Sequence, residues 1–419
     1  MSDYPKNYCA YPFVQVSINP VGKWKLCCVD DDGDDQPTDR ITDFPGGKNF
    51  SSQDYNLDDF WNSEYLNFIR SQMLENKPVH ECRSCRYYEK KGVESYRQRA
   101  NKKWGYHDKP TDTPIYVDLK LGNTCNLQCV FCDPNSSSKI LQEWKSNGWL
   151  TQENAPFDQG IMGPILGLDN SKPDYQWVNK NDFWDNIEEI SPNLSLMKFT
   201  GGEPMLNKKM YKLLENLIKG GYSKDIDLQF TTNGTVFDSR ILNILNNFRK
   251  VEVNFSCDGL KGVNSYIRYP IDHNQWINNI NSFAQHCSAS VSLNIQHSYG
   301  ALTLLDDAEY FEWVFQQKKF GWHTFKVFRP DFMQIEVLDR ITLDLAAESL
   351  QKTIDLLIPQ CENERDMHLV KDIQGICEAV KTATDMTYLR PKLKSYVEKL
   401  DKSRNINIYD YIPKLKGHL

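Results

Sequence analysis

Between residues 115 and 330, short runs of β-branched and aromatic residues alternate with segments whose apolar positions recur at helical spacing. A period of two trading places with a period of 3.6 is the βα rhythm of a parallel sheet or barrel. The pattern predicts six strands, at 115–121, 194–200, 227–232, 251–256, 290–296 and 324–328, with helices near 207–219, 238–248, 273–286 and 304–319. Each strand has an apolar face (Val117, Leu119 and Leu121; Val251, Val253 and Phe255; Val291, Leu293 and Ile295) and a polar one (Asp118/Lys120, Lys198/Thr200, Gln229/Thr231/Asn233, Asn254/Ser256/Asp258, Asn294/Gln296/Ser298, Lys326). In a parallel sheet the apolar face lies beneath the helices, so the polar face is expected to point inward. A closed eight-stranded barrel fills its interior with apolar layers. Six strands with polar inner faces instead predict an α/β fold, a partial (β/α)6 barrel with an open lumen for a large polar ligand.

The flanks read differently. Residues 1–110 look irregular, with a Gly/Asp/Pro-rich stretch at 30–47 and one helix over 58–74 that carries Phe60, Trp61, Tyr65, Phe68, Ile69 and Met73. So much loop is normally held together by ligands or metal. Residues 148–182, rich in Gly, Pro, Asn and Trp, interrupt the first crossover. Their large aromatic residues Trp149, Phe157, Tyr175 and Trp177 suggest a lid over the lumen or an insertion packed on its wall. From Thr342 the pattern is helical, with Leu343, Ala347, Leu350, Ile354 and Leu357 on one face and Leu389, Leu393, Val397 and Leu400 on another. The expected division is 1–110, 111–335 and 336–419, without internal repeats.

Composition narrows the function. Of 419 residues, 40% are hydrophobic and 25% charged, which excludes disordered and low-complexity classes. Forty-nine Lys plus Arg against 56 Asp plus Glu leave a net charge of −7 with no basic block, so duplex nucleic acid is not an expected partner. No apolar run is long enough to span a membrane, and the first residues lack a signal peptide's apolar stretch, so a cytoplasmic location is expected. There, twelve cysteines point to metal binding or catalysis rather than disulfides. Their spacing implies two clusters: Cys125, Cys129 and Cys132 in C-x3-C-x2-C, and Cys9, Cys27 and Cys28 with Cys82-x2-Cys85.

Cys125-Asn-Leu-Gln-Cys129-Val-Phe-Cys132 follows the first predicted strand, at the strand end where α/β enzymes place their sites. A structural zinc site takes four closed ligands, whereas an iron-sulfur cube held by three cysteines keeps one iron free. With Phe131 before the last cysteine, the motif resembles the signature of the radical S-adenosylmethionine (SAM) superfamily. Thr200-Gly201-Gly202-Glu203-Pro204 resembles that family's GGE motif, and Thr232-Asn233-Gly234 and Ser256-Cys257-Asp258-Gly259 resemble segments that contact the SAM ribose and carboxylate. The resemblance covers 115–330. It implies a 4Fe-4S cluster whose open iron chelates SAM, reductive cleavage to a 5′-deoxyadenosyl radical, and an electron donor such as flavodoxin or ferredoxin. The SAM-binding residues it implies are Thr200, Gly201, Gly202, Glu203, Asn233, Ser256 and Asp258. Arg268 lies where many members place an arginine near the SAM carboxylate, with a surface arginine as the alternative. Asn294 is an inward amide, either a SAM contact or lumen packing. By the same register Cys257 points toward the helices, which suits a buried small residue, with a catalytic thiol as the alternative.

Cys9, then Gly22 and Cys27, and later Cys82 and Cys85 resemble the Twitch domain and the first half of the SPASM domain, which hold an auxiliary 4Fe-4S cluster. Phe60-Trp61-Asn62-Ser63 and Arg70 look like the segment carried ahead of that C-x2-C. Such domains generally follow the barrel, and here the motif precedes it. A four-cysteine zinc site is the alternative, and Cys28 is an alternative ligand to Cys27. The acidic run Asp30–Asp35 lacks EF-hand spacing and reads as a solvated loop.

The full expectation is a partial (β/α)6 radical SAM barrel with an irregular N-terminal iron-sulfur domain and a C-terminal helical extension. Family members with SPASM or Twitch domains most often modify a peptide or protein side chain. A small-molecule or nucleotide-derived substrate is the alternative among enzymes, and a noncatalytic iron-sulfur or zinc scaffold the alternative outside them. Lys120, Lys198, Lys326, Asp118 and Gln296 are inward candidates for substrate contact or proton transfer, or for salt bridges within the lumen.

Overall fold

The computed structural model describes residues 4–29, 50–90, 92–151, 153–157 and 173–419. The acidic run at 30–35 lies outside them. Among the described residues eight strands are present: β1 (Gln15–Ile18), β2 (Trp24–Lys25), β3 (Tyr116–Lys120), β4 (Leu196–Thr200), β5 (Asp227–Thr232), β6 (Lys250–Ser256), β7 (Val291–Tyr299) and β8 (Gly321–Lys326). They follow the sheet order β2-β1-β3-β4-β5-β6-β7-β8, so the sheet is open, with β2 and β8 at its ends. β1 and β2 are antiparallel, while β1–β3, β3–β4, β4–β5 and β7–β8 are parallel. The six strands expected from the pattern are β3 to β8. The last begins three residues earlier than its apolar run suggested, at Gly321, and β7 extends to Tyr299.

The N-terminal region departs from expectation. Its described residues are more regular than that, because β1 and β2 extend the sheet and helices form at Leu57–Trp61, Glu64–Leu74, Arg83–Lys90 and Tyr96–Trp104. A four-residue and a two-residue strand are too short to show a period. The helices at 83–90 and 96–104 bury Arg83, Cys85, Ala100 and Asn101, so no apolar stripe announces them. The helix expected over 58–74 breaks at Asn62 and restarts at Ser63, whose hydroxyl accepts from Leu66 N as an N-cap.

Two compact units share the chain. The first comprises 1–124, 171–230 and 243–251, and the second 125–170, 231–242 and 252–419. In the first, Val117, Leu119, Met197, Phe199, Leu228 and Phe230 form the apolar face, all buried, with Phe199 and Phe230 stacked at 5.2 Å. The helices Asn181–Glu189 and Lys208–Gly220 contribute Ile187, Leu213, Leu214 and Leu217 to this core. The opposite face sets Ser17, Asp118, Lys198 and Gln229 in register. In the second unit, Val253, Phe255, Leu293 and Ile295 are buried along with Ile280 and Phe283 of helix His273–His286.

The C-terminal extension is built mainly on helices Arg340–Leu357, Glu364–Lys381 and Arg390–Arg404, with a short helix at Ile408–Tyr411. The first expected face is buried in full, and so are Leu393, Val397 and Leu400 of the second, while Leu389 sits half-buried in the turn before its helix. The two described arms of the 148–182 insertion are packed down. In the second unit Phe157 meets Trp144 edge-on at 5.3 Å and Tyr396 at 5.4 Å. In the first, the Trp177 indole donates to Pro20 O at 3.0 Å and packs on Phe183. The stretch between them that a lid would need, 158–172, lies outside the described residues.

Candidate active site

The loop after β3 carries the three cysteines. Within the second unit its backbone is pinned at several points: Gln128 N donates to Tyr269 O at 2.6 Å, Val130 N to Ile267 O at 2.8 Å, and the Ser137 hydroxyl to Leu127 O at 2.7 Å. Asp133 Oδ1 accepts from the backbone of Asn135 and Ser136, closing the turn beyond Cys132. Cys129 is buried; Cys125 and Cys132 are partly open.

Expected site residues gather on these sulfurs. The Asn233 amide donates to Asn126 Oδ1 at 2.9 Å and reaches Cys125 Sγ at 4.0 Å, while Asn126 donates to Thr235 Oγ1. Arg268 directs Nη1 at Cys129 Sγ, 3.9 Å away, and Nη2 pairs with Asp258 Oδ2 at 2.7 Å. Burial works against the Arg268 charge, but Asp258 and the Cys129 and Cys132 sulfurs outweigh it and hold the guanidinium above its ordinary range. The Cys129 thiol is lowered by its hydrogen bond with Cys132 and by Arg268, and Cys132 is raised in return. Asp258 is fully buried and also accepts from Ser298 N at 2.8 Å. Ser256 is buried beside it in sequence, and Cys257 is buried as expected. Asn294 is not drawn to the sulfurs: its amide donates to Asn254 Oδ1 at 3.1 Å.

Thr200 to Glu203 lie in the first unit. Gly201 has φ +108, and a Cβ there would stand 2.5 Å from Leu121 N; one on Gly202 would stand 2.2 Å from Thr124 O. The two glycines are therefore demanded by the 121–124 backbone that leads into the cysteine loop. Gly202 N donates to Gly122 O and Glu203 N to Thr124 O, and the Glu203 carboxylate caps Met205 N at 3.0 Å.

The second cysteine group belongs to the first unit. Cys9, Cys82 and Cys85 are buried. Burial pushes the Cys9 thiol up to about 12, with Cys85 adding to it, and raises Cys82, to which Cys9 and Cys85 both add. Cys27 is partly open. Cys28 differs, because its environment is that of Asp118, Lys198 and Lys120: burial and Asp118 raise its thiol, and the two lysines oppose. Arg70 proves to be a clasp. Its Nε donates to Pro12 O at 2.8 Å and Nη1 to Trp61 O at 2.9 Å, and the guanidinium stacks on the Trp61 ring at 4.4 Å.

Among the described residues, no three His, Cys, Asp or Glu side chains converge closely enough to enclose a single metal ion. Three thiols on one pinned loop, with an arginine on one sulfur and an amide on another, instead suit a multi-iron cluster that keeps one iron open, the arginine offsetting the negative charge of the thiolates. The arrangement suits an iron-sulfur cluster site.

Comparison with known families agrees. Residues 119–295 match the Radical SAM superfamily, and residues 9–86 match SPASM, an iron-sulfur cluster-binding domain. The chain therefore carries a Radical SAM domain and, ahead of it, an iron-sulfur cluster-binding SPASM domain, which imply a 4Fe-4S cluster, SAM and an auxiliary cluster as cofactors. Among curated relatives, a Methanocaldococcus jannaschii protein described as uncharacterized protein MJ0907 is 26% identical over 154 residues, 36% of this chain and 41% of its own. GTP 3′,8-cyclase of Campylobacter lari is 24% identical over 147 residues, 35% of each chain. Of solved structures, anSMEcpe with bound AdoMet is 16% identical with a TM-score of 0.38, over 58% of this chain and 59% of that one. Streptococcus suis SuiB bound to precursor peptide SuiA is 13% identical with a TM-score of 0.35, over 66% and 60%. The chain thus spans about two fifths of the first curated relative and about three fifths of the first solved structure.

Contacts that the sequence reading missed are Asn126 and Thr235, and, from the far end of the chain, Tyr396 and Arg404. Asn126 lies inside the cysteine motif and was findable. Tyr396 and Arg404 lie more than 260 residues from the loop they touch and carry no local signal.

Proposed function

We propose that this enzyme directs the 5′-deoxyadenosyl radical to a side chain of a peptide or protein. When bound, the three-cysteine cluster and SAM supply the radical by reductive cleavage, with electrons from a flavodoxin- or ferredoxin-type donor in the cytoplasm. Cys125, Cys129 and Cys132 hold that cluster, and Cys9, Cys27, Cys82 and Cys85 the auxiliary one. Thr200, Gly201, Gly202, Glu203, Asn233, Ser256, Asp258, Arg268 and Asn294 serve SAM. The working division is 1–110 for the auxiliary domain, 111–335 for the barrel and 336–419 for the helical extension.

The observation that carries the substrate class is a row of buried polar groups on the first unit's sheet. Gln15, aligned with Tyr116, is 1% exposed, and among the described residues neither end of its amide has a partner. Asp118 is fully buried; Oδ2 accepts from Lys198 Nζ at 3.2 Å, and Oδ1 has no partner among the described residues. Burial lowers the Lys198 pKa and Asp118 more than restores it, so the lysine is charged. Unsatisfied buried groups of this kind cost about 1–3 kcal/mol each unless something else meets them. A peptide group offers the C=O and N–H that complement a glutamine amide. The SPASM match supports the same reading.

A nucleotide-derived substrate is the second reading, favoured by the likeness to GTP 3′,8-cyclase and by the donor–acceptor edge of a nucleobase. Reconstituted enzyme challenged separately with a peptide library and with nucleotides separates the two. The expected result is that peptides raise 5′-deoxyadenosine formation and acquire a mass change, and that Gln15→Leu cuts this increment about tenfold. Stimulation by nucleotides alone would establish the second reading instead.

A further inference from the structure

The C-terminal extension touches the cysteine loop at two atoms that bracket one ligand. Tyr396 Oη donates to Val130 O at 2.9 Å, and Arg404 Nη2 donates to Gln128 O at 2.8 Å. The residue between is Cys129. Its two neighbours have their N–H groups on Ile267 O and Tyr269 O, so all four flanking backbone groups are satisfied, the donors by the 267–269 segment and the acceptors by helix Arg390–Arg404. That segment also bears Arg268, whose Nη1 faces Cys129 Sγ.

Arg404 is itself fixed. Glu143, on the helix that follows the cysteine loop, takes its Nε at 2.9 Å and Nη2 at 3.0 Å and also accepts from the Ser403 hydroxyl at 3.1 Å. The two charged side chains are 1% and 3% exposed, and the guanidinium lies over the Tyr269 ring at 5.0 Å. A planar fork on a carboxylate with one N–H left for a carbonyl is a geometry lysine does not reproduce. Tyr396 is held by Phe157 at 5.4 Å and Phe332 at 5.4 Å. Because the ring has its own packing, removing the hydroxyl leaves the side chain in place.

We propose that Tyr396 and Arg404 are positioning residues that set the Cys129 segment of the cluster loop, and through it the geometry at which SAM is bound. The proposal rests on Cys129 being a ligand of the SAM-binding cluster. The bonds each makes to the loop go to a carbonyl next to Cys129 rather than to a sulfur. Loss of the hydroxyl leaves Val130 O buried without its donor, a change on the scale of one neutral hydrogen bond. The loop then relaxes while its three thiols remain.

The test uses reconstituted holoenzyme with Tyr396→Phe, Arg404→Lys and, as a control on the same helix, Leu393→Ala. Leu393 is buried and makes no contact with the loop carbonyls in the hydrogen-bond pattern. Three quantities are read: iron content, the electron paramagnetic resonance spectrum of the dithionite-reduced enzyme with and without SAM, and the KM for SAM in 5′-deoxyadenosine formation. The expected result is wild-type iron in Tyr396→Phe, an altered SAM-bound spectrum, and a KM raised about two- to tenfold. Arg404→Lys should shift both readouts in the same direction, and Leu393→Ala should lower the melting temperature while leaving spectrum and KM unchanged. A wild-type SAM-bound spectrum and KM in both Tyr396→Phe and Arg404→Lys would overturn the proposal. So would the same spectral change in Leu393→Ala, since any loosening of the helix would then suffice. Failure of the underlying ligand assignment shows separately, as a persistent SAM-responsive signal in Cys129→Ala.

Discussion

Arg268 stands between a buried carboxylate and a cysteine sulfur, and its two partners were each readable as site residues because Asp258 and Cys129 belong to motifs at strand ends. The pairing itself was not readable. A sequence register says that Ser256 and Asp258 face inward, but not that Asp258 spends one oxygen on Arg268 and the other on Ser298 N. The same limit explains Asn294, whose amide satisfies Asn254 across the β6–β7 face. The pair makes a quantitative prediction. Arg268→Gln leaves Asp258, which is fully buried, without its counter-charge, and breaking a buried pair from one side costs about 3–5 kcal/mol. Denaturant unfolding of the apoprotein should show a loss of that order, reduced in the double variant Arg268→Gln/Asp258→Asn. A loss below about 1 kcal/mol in the single variant would mean that the pair is already solvated.

At the scale of elements, β3 to β7 were legible because each is long enough to display its period, whereas β8, at the end of the sheet with none of its residues buried, was legible only over part of its length. β1 was not, having four residues, all buried, and no alternation to detect. Helices whose buried residues are Arg83, Cys85, Ala100 and Asn101 are equally silent, since their inner faces carry mainly polar groups and a cysteine rather than an apolar stripe. Caps, by contrast, are local. Asp339 caps helix Arg340–Leu357, accepting from Thr342 N at 2.8 Å and from its hydroxyl at 2.7 Å, and pairs with Arg390 at 2.8 Å. The Thr342 side chain and backbone, and then Arg390, lower its pKa to about 2. A carboxylate depressed in the folded state adds stability above its unfolded pKa of ~4, and that contribution is lost as pH falls through the folded value. Asp339→Ala should therefore lower the melting temperature at pH 7 by the equivalent of about 1 kcal/mol, and the gap from wild type should narrow steadily between about pH 4 and pH 2. A gap that stays constant over that range would exclude the charged cap as its source.

For the whole molecule, the two cysteine groups fall in different compact units, Cys9, Cys27, Cys82 and Cys85 in the first and Cys125, Cys129 and Cys132 in the second. Each unit is stitched from separate stretches of chain, which a linear reading of composition does not reveal. If both groups hold cubes, reconstituted protein should contain about eight irons, and the Cys125→Ala/Cys129→Ala/Cys132→Ala variant about four. Elemental analysis that finds zinc in that variant would instead assign a zinc site to the N-terminal cysteines.

The central claim, that three thiolates on the loop after β3 leave one iron open to SAM, meets its most direct test in SAM turnover itself. Anaerobically reconstituted wild-type protein reduced with dithionite should convert SAM to 5′-deoxyadenosine and methionine, and the triple alanine variant, still carrying its N-terminal cluster, should form neither. Undiminished 5′-deoxyadenosine from that variant would contradict the account.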